Sequence, residues 1–188
     1  MPELSYPDYL PKSVRPYFEH CLNVLTPEQI RTAIEPFRSE LDALRITAKP
    51  LPDAALHWQT WLQTRYPLVC TAPFAERHVR LWEWFEALTP GVKPRPRVEV
   101  WPRGGAKSMS AELGCVRACV KLSRRFVLYV SGTQEQAEKH LSAVATLMEK
   151  AGIERAVNIY GTSKGWRHSE LRTANGFNVA AYGLARAR

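Results

Sequence analysis

The alternation of apolar runs with amphipathic segments after residue 97 constrains the fold of this chain more than any other sequence feature. The predicted strands are VEVWP (98–102), RFVLYVSG (125–132), AVNIYG (156–161), SELRTANG (169–176) and FNVAAYG (177–183). The predicted helices are KSMSAELGCVRACVKL (107–122) and TQEQAEKHLSAVATLMEKAG (133–152), the second closed by Gly152. Strands that alternate with helices are typical of βαβ units. The sequence therefore predicts an α/β fold with a parallel sheet.

The first half of the chain predicts helices instead. TPEQIRTAIEPFRSELDALRI (26–46) begins with Thr26 as an N-cap, DAALHWQTWLQTRY (53–66) begins with an Asp53 cap, and APFAERHVRLWEWFEAL (72–88) follows. The prolines of the first 25 residues exclude one long helix there. TPGVKPRPR (89–97) holds three prolines and predicts a connector between the two halves.

Composition excludes several classes of protein. A chain of 188 residues that is 45% hydrophobic is long enough to bury a core, and it has no apolar stretch of membrane-spanning length. The N-terminus lacks the basic and apolar blocks of a signal peptide, so we expect a cytoplasmic protein without a membrane partner. The four cysteines (Cys21, Cys70, Cys115 and Cys119) form no C-x-x-C pair, and we expect reduced thiols without zinc.

The positive charge is concentrated in the second half of the chain. Residues 1–92 hold 9 Lys and Arg against 11 Asp and Glu, whereas residues 93–188 hold 17 against 7. A basic surface of this kind favours phosphate-rich partners such as nucleotides and nucleic acids. A surface that serves solubility alone has the same composition, so charge by itself leaves both interpretations open.

The loop WPRGGAKSM (101–109) lies where a βαβ unit binds phosphate, between a predicted strand and a predicted helix. The usual phosphate-loop pattern, G-x-x-x-x-G-K-[ST], requires glycine at positions 101 and 106, where this chain has Trp101 and Ala106. Gly104 and Gly105 still allow a tight turn before Lys107. An ordinary strand-to-helix connection with solvated cap residues is the alternative, and the flanking elements favour the nucleotide loop.

With its arginine four residues before the lysine, this loop resembles the deviant Walker A loop of the large terminase subunits of tailed bacteriophages. RFVLYVSGTQEQAEKHLSAVATLME resembles the second strand, Ser-x-Thr turn and following helix of that family, and ELRTANGFNVAAYGLARAR resembles its Asn-Gly hairpin and later arginine. APFAERHVRLWEWFEAL is similar to the helix upstream of the loop. The resemblance covers residues 72–188 and implies a partial P-loop NTPase-type ATPase domain there, preceded by a helical segment, 1–71.

The resemblance also implies roles for individual residues. Lys107 and Ser108 would bind the triphosphate of ATP, and Ser108 would join the shell of its Mg²⁺. Arg103 is the loop arginine near the phosphates, and Arg188, or else Arg186, would act on the nucleotide of a neighbouring subunit. Ser131 and Thr133 form the Ser-x-Thr turn, where capping of the next helix is the simpler interpretation. The cofactor-binding residues are then Arg103, Gly104, Gly105, Ala106, Lys107, Ser108 and Met109.

Hydrolysis in such an ATPase needs an apolar strand that ends in Asp, followed by Glu, and neither is present here. The last aspartate is Asp53, and no glutamate after residue 93 ends an apolar strand. We therefore expect a piece of a longer ATPase that lacks Walker B and the nuclease domain, is nearly inactive alone and cuts no DNA.

For the whole protein, the resemblance implies a motor that moves double-stranded DNA into a procapsid in the host cytoplasm during infection. The portal protein, the small terminase subunit and further copies of the chain, arranged as a ring, would be its partners. Two alternatives stay open: another P-loop DNA translocase or helicase-like ATPase, and a non-catalytic nucleic-acid-binding module with a degenerate loop. One aromatic residue of the 82–85 group is a candidate for stacking on adenine, although core packing is the simpler interpretation.

Overall fold

Four α-helices and four β-strands make up the part of the chain that the computed structural model describes, residues 50–158 and 160–184. The helices are α1 (Trp58–Arg65), α2 (Glu76–Glu86), α3 (Lys107–Lys121) and α4 (Gln134–Lys150). The strands are β1 (Phe126–Ser131), β2 (Trp166–Arg167), β3 (Glu170–Arg172) and β4 (Asn178–Gly183). These elements confirm the predicted α/β class. The helix predicted over 26–46 lies outside the described residues.

The sheet has the strand order β1-β4-β3-β2 and is mixed rather than parallel throughout. β1 runs parallel to β4, with Phe126 opposite Asn178, so β1, α4 and β4 form the predicted crossover unit. β4 pairs with β3, and β3 with β2, in antiparallel register. The reason is the tight turn before β4, where Gly176 has a φ of 83° and reverses the chain direction. The prediction of a parallel sheet is right for one of these three strand pairs.

Two predicted strands are wrong. Residues 98–102 adopt no regular structure, although VEVWP has the apolar character of a strand. Val100 is 50% exposed, and the carboxylate of Glu99 accepts hydrogen bonds from Arg97 and from the Trp101 indole, so local side-chain contacts hold this run. The described residues of AVNIYG contribute one isolated bridge, Val157 to Ser163, because the chain turns back on itself within six residues.

The helices join the sheet in one hydrophobic core. α4 packs across β1, β3 and β4 through Leu141, Val144 and Met148, which are fully buried. α3 packs on α4 and also contacts α2 and a 3-10 turn, Pro52–Ala55, that precedes α1. As predicted for small buried residues, Cys115 and Cys119 of α3 lie inside this core.

The α1 region differs from its prediction at the helix start. Asp53 lies in the 3-10 turn, where its carboxylate pairs with Arg65 at 2.5 Å, and it does not cap a helix. His57 is the N-cap instead and accepts a hydrogen bond from the Gln59 amide. α1 places Trp58 against Trp82 of α2, with the two rings 5.6 Å apart and nearly parallel.

Candidate functional site

The loop that precedes α3 has an unusual backbone conformation. Gly104 has a φ of 76° and Ala106 a φ of 59°, so two positions of the loop are in the left-handed region. Alternation of right- and left-handed residues turns successive amide N–H groups towards one concave side, which suits an anion. Gly105 closes the turn by donating its amide to the Pro102 carbonyl at 3.2 Å.

α3 begins at Lys107, directly after this loop. Ala106 is its N-cap and has no side chain able to cap, and no side chain of the described residues caps it. The first intrahelical bond runs from the Ser110 amide to the Ala106 carbonyl at 2.9 Å, so the amides of Lys107, Ser108 and Met109 precede the regular ladder. Lys107 and Ser108 are exposed, and so is Arg103 in the turn. The structure thus places the predicted loop residues, 103–109, around one uncapped helix start.

His78 of α2 holds the loop in place. Its Nδ1 accepts a hydrogen bond from the Ala75 amide at 3.1 Å, which leaves the proton on Nε2. Nε2 therefore donates to the Gly105 carbonyl, also at 3.1 Å. The same ring meets the buried Trp101 edge-on, with 5.1 Å between the ring centroids. No local pattern connects His78 with a residue 27 positions later, because its role depends on how α2 packs.

A cavity of about 160 Å³ adjoins the loop on the side of α2. It is mostly apolar, and its walls come from the segment between α1 and α2, from α2 and from the first turns of α3; they include Phe74, His78, Trp82, Ala106 and Met109. Of the aromatic group considered for base stacking, Trp82 lines this cavity, while Phe85 lies against the backbone of Gly114. A Cβ added at Gly114 would lie 2.3 Å from the Phe85 ring, so Phe85 is a packing residue.

The Ser-x-Thr turn after β1 has a structural role. Thr133 is the N-cap of α4, and its hydroxyl accepts the Gln136 amide at 3.2 Å. The Ser131 hydroxyl donates to the Gln136 side chain at the same distance. These contacts confirm the capping interpretation for Thr133.

Gln134 is a residue that sequence reasoning missed. Its side-chain oxygen accepts the Gly183 amide at 2.9 Å, which joins the end of β4 to the start of α4. A Cβ at Gly183 would lie 2.2 Å from the Gln134 backbone nitrogen, so glycine is required for this approach. The carboxyl ends of the two parallel strands are therefore held together at one edge of the sheet.

A second missed feature is a buried acid on α3. The Glu112 carboxylate, whose side chain is 7% exposed, accepts a hydrogen bond from His140 Nδ1 of α4 at 2.7 Å. The ring of Tyr129 on β1 stacks on His140 at 5.2 Å, and burial, with the nearby Glu112 charge, raises the pKa of Tyr129 to about 12. This cluster joins α3, α4 and β1, and Glu112 is already engaged within it.

The remaining predictions concern the arginines near the end of the chain and the magnesium site. Arg186 and Arg188 lie outside the described residues. Within the described part of the chain, no three His, Cys, Asp or Glu side chains form a group that could hold a metal ion. The Ser108 hydroxyl therefore stays the predicted protein ligand of Mg²⁺. The nucleotide phosphates and water would supply the other ligands.

Comparisons of this chain with protein-family models, with curated proteins and with solved structures find no match. Among the described residues, none of the helices has the length and apolar character that crossing a membrane requires.

Proposed function

We propose that this chain is the nucleotide-binding part of a DNA-packaging ATPase of the terminase large-subunit type. The carrying observation is the left-handed Ala106 immediately before Lys107, at the uncapped start of a helix. The last glycine of a phosphate loop stands at this position, because the chain must turn there before the helix begins. Ala106 adopts the required conformation without being glycine, so the backbone at position 106 fits a phosphate loop. Position 101 is Trp101 instead of glycine, and no strand precedes the loop over residues 98–102.

The proposal assigns each loop residue a task. The amides of the first α3 turn and the positive end of its dipole would hold the phosphates of ATP, and Lys107 would neutralise the outer phosphates. The Ser108 hydroxyl would bind Mg²⁺, and Arg103 would supply a second cation. The apolar cavity beside Ala106 would take the adenine, with Phe74 and Met109 in its walls. In the full motor, coupled hydrolysis would translocate double-stranded DNA, with the portal protein, the small subunit and further copies as partners.

Calorimetry with MgATP tests the nucleotide site. We expect the native chain to bind MgATP with a micromolar to low millimolar dissociation constant, and Lys107→Ala to bind at least tenfold more weakly, because it loses a charge-assisted contact. Lys139→Ala is the matched control, since it removes the same charge from an exposed position on α4. Equal binding by native, Lys107→Ala and Lys139→Ala would refute the phosphate loop.

A non-catalytic nucleic-acid-binding module is the second candidate, favoured by the 17 basic against 7 acidic residues after position 92. DNA binding without any nucleotide binding would support this second candidate over the ATPase. A longer form of the protein separates the terminase from other P-loop translocases, because a terminase continues into an acidic Walker B strand and then a nuclease domain.

A further inference from the structure

The segment between α4 and β3 forms a hairpin, described at residues 155–158 and 160–168, which we call the basic hairpin. Its base is joined to the sheet by a bridge between Arg155 and Thr173, and by the Ala156 amide, which donates to the Arg172 carbonyl at 2.9 Å. Further out, Val157 and Ser163 form a second bridge, and the Asn158 amide donates to Thr162 at 2.9 Å. The described part of the hairpin is therefore joined to the sheet by backbone hydrogen bonds.

An exposed tyrosine occupies the tip of the basic hairpin. Tyr160 is 85% exposed and Val157 59% exposed, a combination that leaves a large apolar surface in water. Hydrogen bonds support the turn at Tyr160, since the Asn158 side-chain oxygen accepts the amides of Tyr160 and Thr162, each at 2.9 Å. An exposed aromatic ring of this size is suited to contact with a partner.

The charges of the hairpin all have one sign. Residues 155–168 contain Arg155, Lys164 and Arg167 and no acid, while Glu154 and Glu170 lie just outside them. Arg155 is engaged with the fold, since its guanidinium pairs with Glu149 and lies 4.9 Å from the centre of the Trp166 ring. Lys164 and Arg167 are exposed on the same hairpin as Tyr160, and both interact electrostatically with the Glu170 carboxylate of β3.

We propose that the basic hairpin contacts the sugar-phosphate backbone of duplex DNA, with Lys164 and Arg167 on phosphates and Tyr160 against the adjacent sugars. Duplex DNA presents anionic phosphates and apolar sugar faces side by side, and this matches two cations and an exposed ring on one hairpin. An acidic protein surface would satisfy the cations and leave Tyr160 without a defined partner. The inference deepens the proposed function, and it rests on DNA being the substrate of that function.

Fluorescence anisotropy with a labelled 30-base-pair duplex tests the inference. We expect Lys164→Ala/Arg167→Ala to raise the dissociation constant about tenfold and to flatten the log–log salt dependence by about two, one for each lost phosphate contact. Tyr160→Ala should raise it about fivefold at unchanged charge. The matched control is Arg80→Ala/Lys139→Ala, which removes two cations from α2 and α4 and should change affinity less than twofold.

Three outcomes would overturn the inference: no duplex binding by the native chain at low salt, equal losses in the hairpin and control double variants, or tighter, Tyr160-dependent binding to the single strand alone. MgATP binding, measured on the same samples, separates this inference from the proposed function. If the hairpin variants keep native DNA affinity while Lys107→Ala loses ATP binding, the hairpin inference is refuted and the proposed nucleotide site stands. Hairpin-dependent DNA binding in a native chain that binds no ATP refutes the ATPase alone.

Discussion

Ala106 shows how one residue decides whether the loop before α3 can be a phosphate cradle. A left-handed conformation places the Cβ of an L-residue near its own carbonyl oxygen and costs about 1 kcal/mol. Ala106 has a φ of 59° and is exposed, so no packing of its methyl group compensates for that cost. A non-glycine residue with a left-handed backbone is typical of positions where the surrounding structure requires the turn.

Ala106→Gly should therefore stabilise the protein. We expect the free energy of unfolding to rise by about 0.5–1 kcal/mol, measured by urea denaturation, because glycine adopts a positive φ without strain. MgATP binding should be kept, since the amides of the loop do not depend on the methyl group.

Ala111→Gly is the control for this substitution, because it makes the same change inside α3, where the backbone is regular. There glycine should lower the free energy of unfolding by about 1 kcal/mol. Equal destabilisation by both variants would contradict the left-handed assignment of Ala106.

At the scale of elements, one buried arginine connects three of them. The side chain of Arg117 on α3 is 1% exposed, and its guanidinium lies 5.2 Å from the centre of the Trp61 ring. It donates to the Glu86 carboxylate of α2 at 2.8 Å and to the Leu56 carbonyl, just after the 3-10 turn, at 2.6 Å. Lys121 also donates to Glu86, at 2.9 Å. α3, the helix that begins at the candidate loop, is anchored by this network.

The network makes stability depend on pH through Glu86. Burial opposes the charged form of Glu86, but hydrogen bonds from Arg117 and Lys121 outweigh it and lower the pKa below its ordinary 4.5. The stabilisation is complete above pH 4.5 and is lost as the pH falls through the lower folded value. Glu86→Gln should reduce the free energy of unfolding by about 1–3 kcal/mol at pH 7, and by much less near pH 3.

Urea denaturation of both forms across this pH range measures the effect. Glu83→Gln is the control, because it removes the same charge from an exposed position of the same helix, and its effect should be small at both pH values. A difference between native and Glu86→Gln that stays constant with pH would contradict the assigned sign.

Local patterns predicted the elements whose structure is set locally. α3, α4, β1 and β4 lie where periodicity and apolar runs placed them, since an amphipathic helix or an apolar strand followed by a capped turn carries its signal in adjacent residues. The strand predicted over VEVWP is absent because a strand needs a neighbouring strand to hydrogen-bond with. The residues of this short run do not specify which strand that would be. The N-cap of α1 moved from Asp53 to His57 because Arg65 engages Asp53 from the other end of the helix.

In the candidate site, too, local features could be predicted from the sequence and long-range contacts could not. The position of Lys107 and Ser108 at a helix start could be predicted from nine adjacent residues, 101–109. The contact of His78 with Gly105, in contrast, joins positions 27 apart. The pairing of Gln134 with Gly183 spans 49 positions. Contacts of this length depend on which faces of α2, α4 and β4 meet, and a single sequence does not state that.

On the scale of the whole molecule, the arrangement of the sheet bears on catalysis. Ligands in α/β folds bind at the carboxyl ends of parallel strands. The parallel strands end at Ser131 and Gly183, and neither of these residues carries a carboxylate. The Glu138 carboxylate of α4 lies beside the end of β4, where it accepts a hydrogen bond from the Gln134 side chain at 2.8 Å. Glu112, the buried acid of α3, accepts a hydrogen bond from His140 and is engaged in packing.

Nucleotide binding and hydrolysis should therefore separate in this 188-residue chain. We expect it to bind MgATP but to turn it over far more slowly than about 1 s⁻¹, because a Walker B acid that would position Mg²⁺ and activate water is absent from the sequence after residue 93. Phosphate release from the purified chain, followed with and without duplex DNA, measures the rate, and Lys107→Ala identifies activity from a contaminating ATPase. Turnover on the order of 1 s⁻¹ that disappears in Lys107→Ala would contradict this expectation and would require a catalytic acid among the glutamates after residue 93, with Glu112 the first to substitute by glutamine.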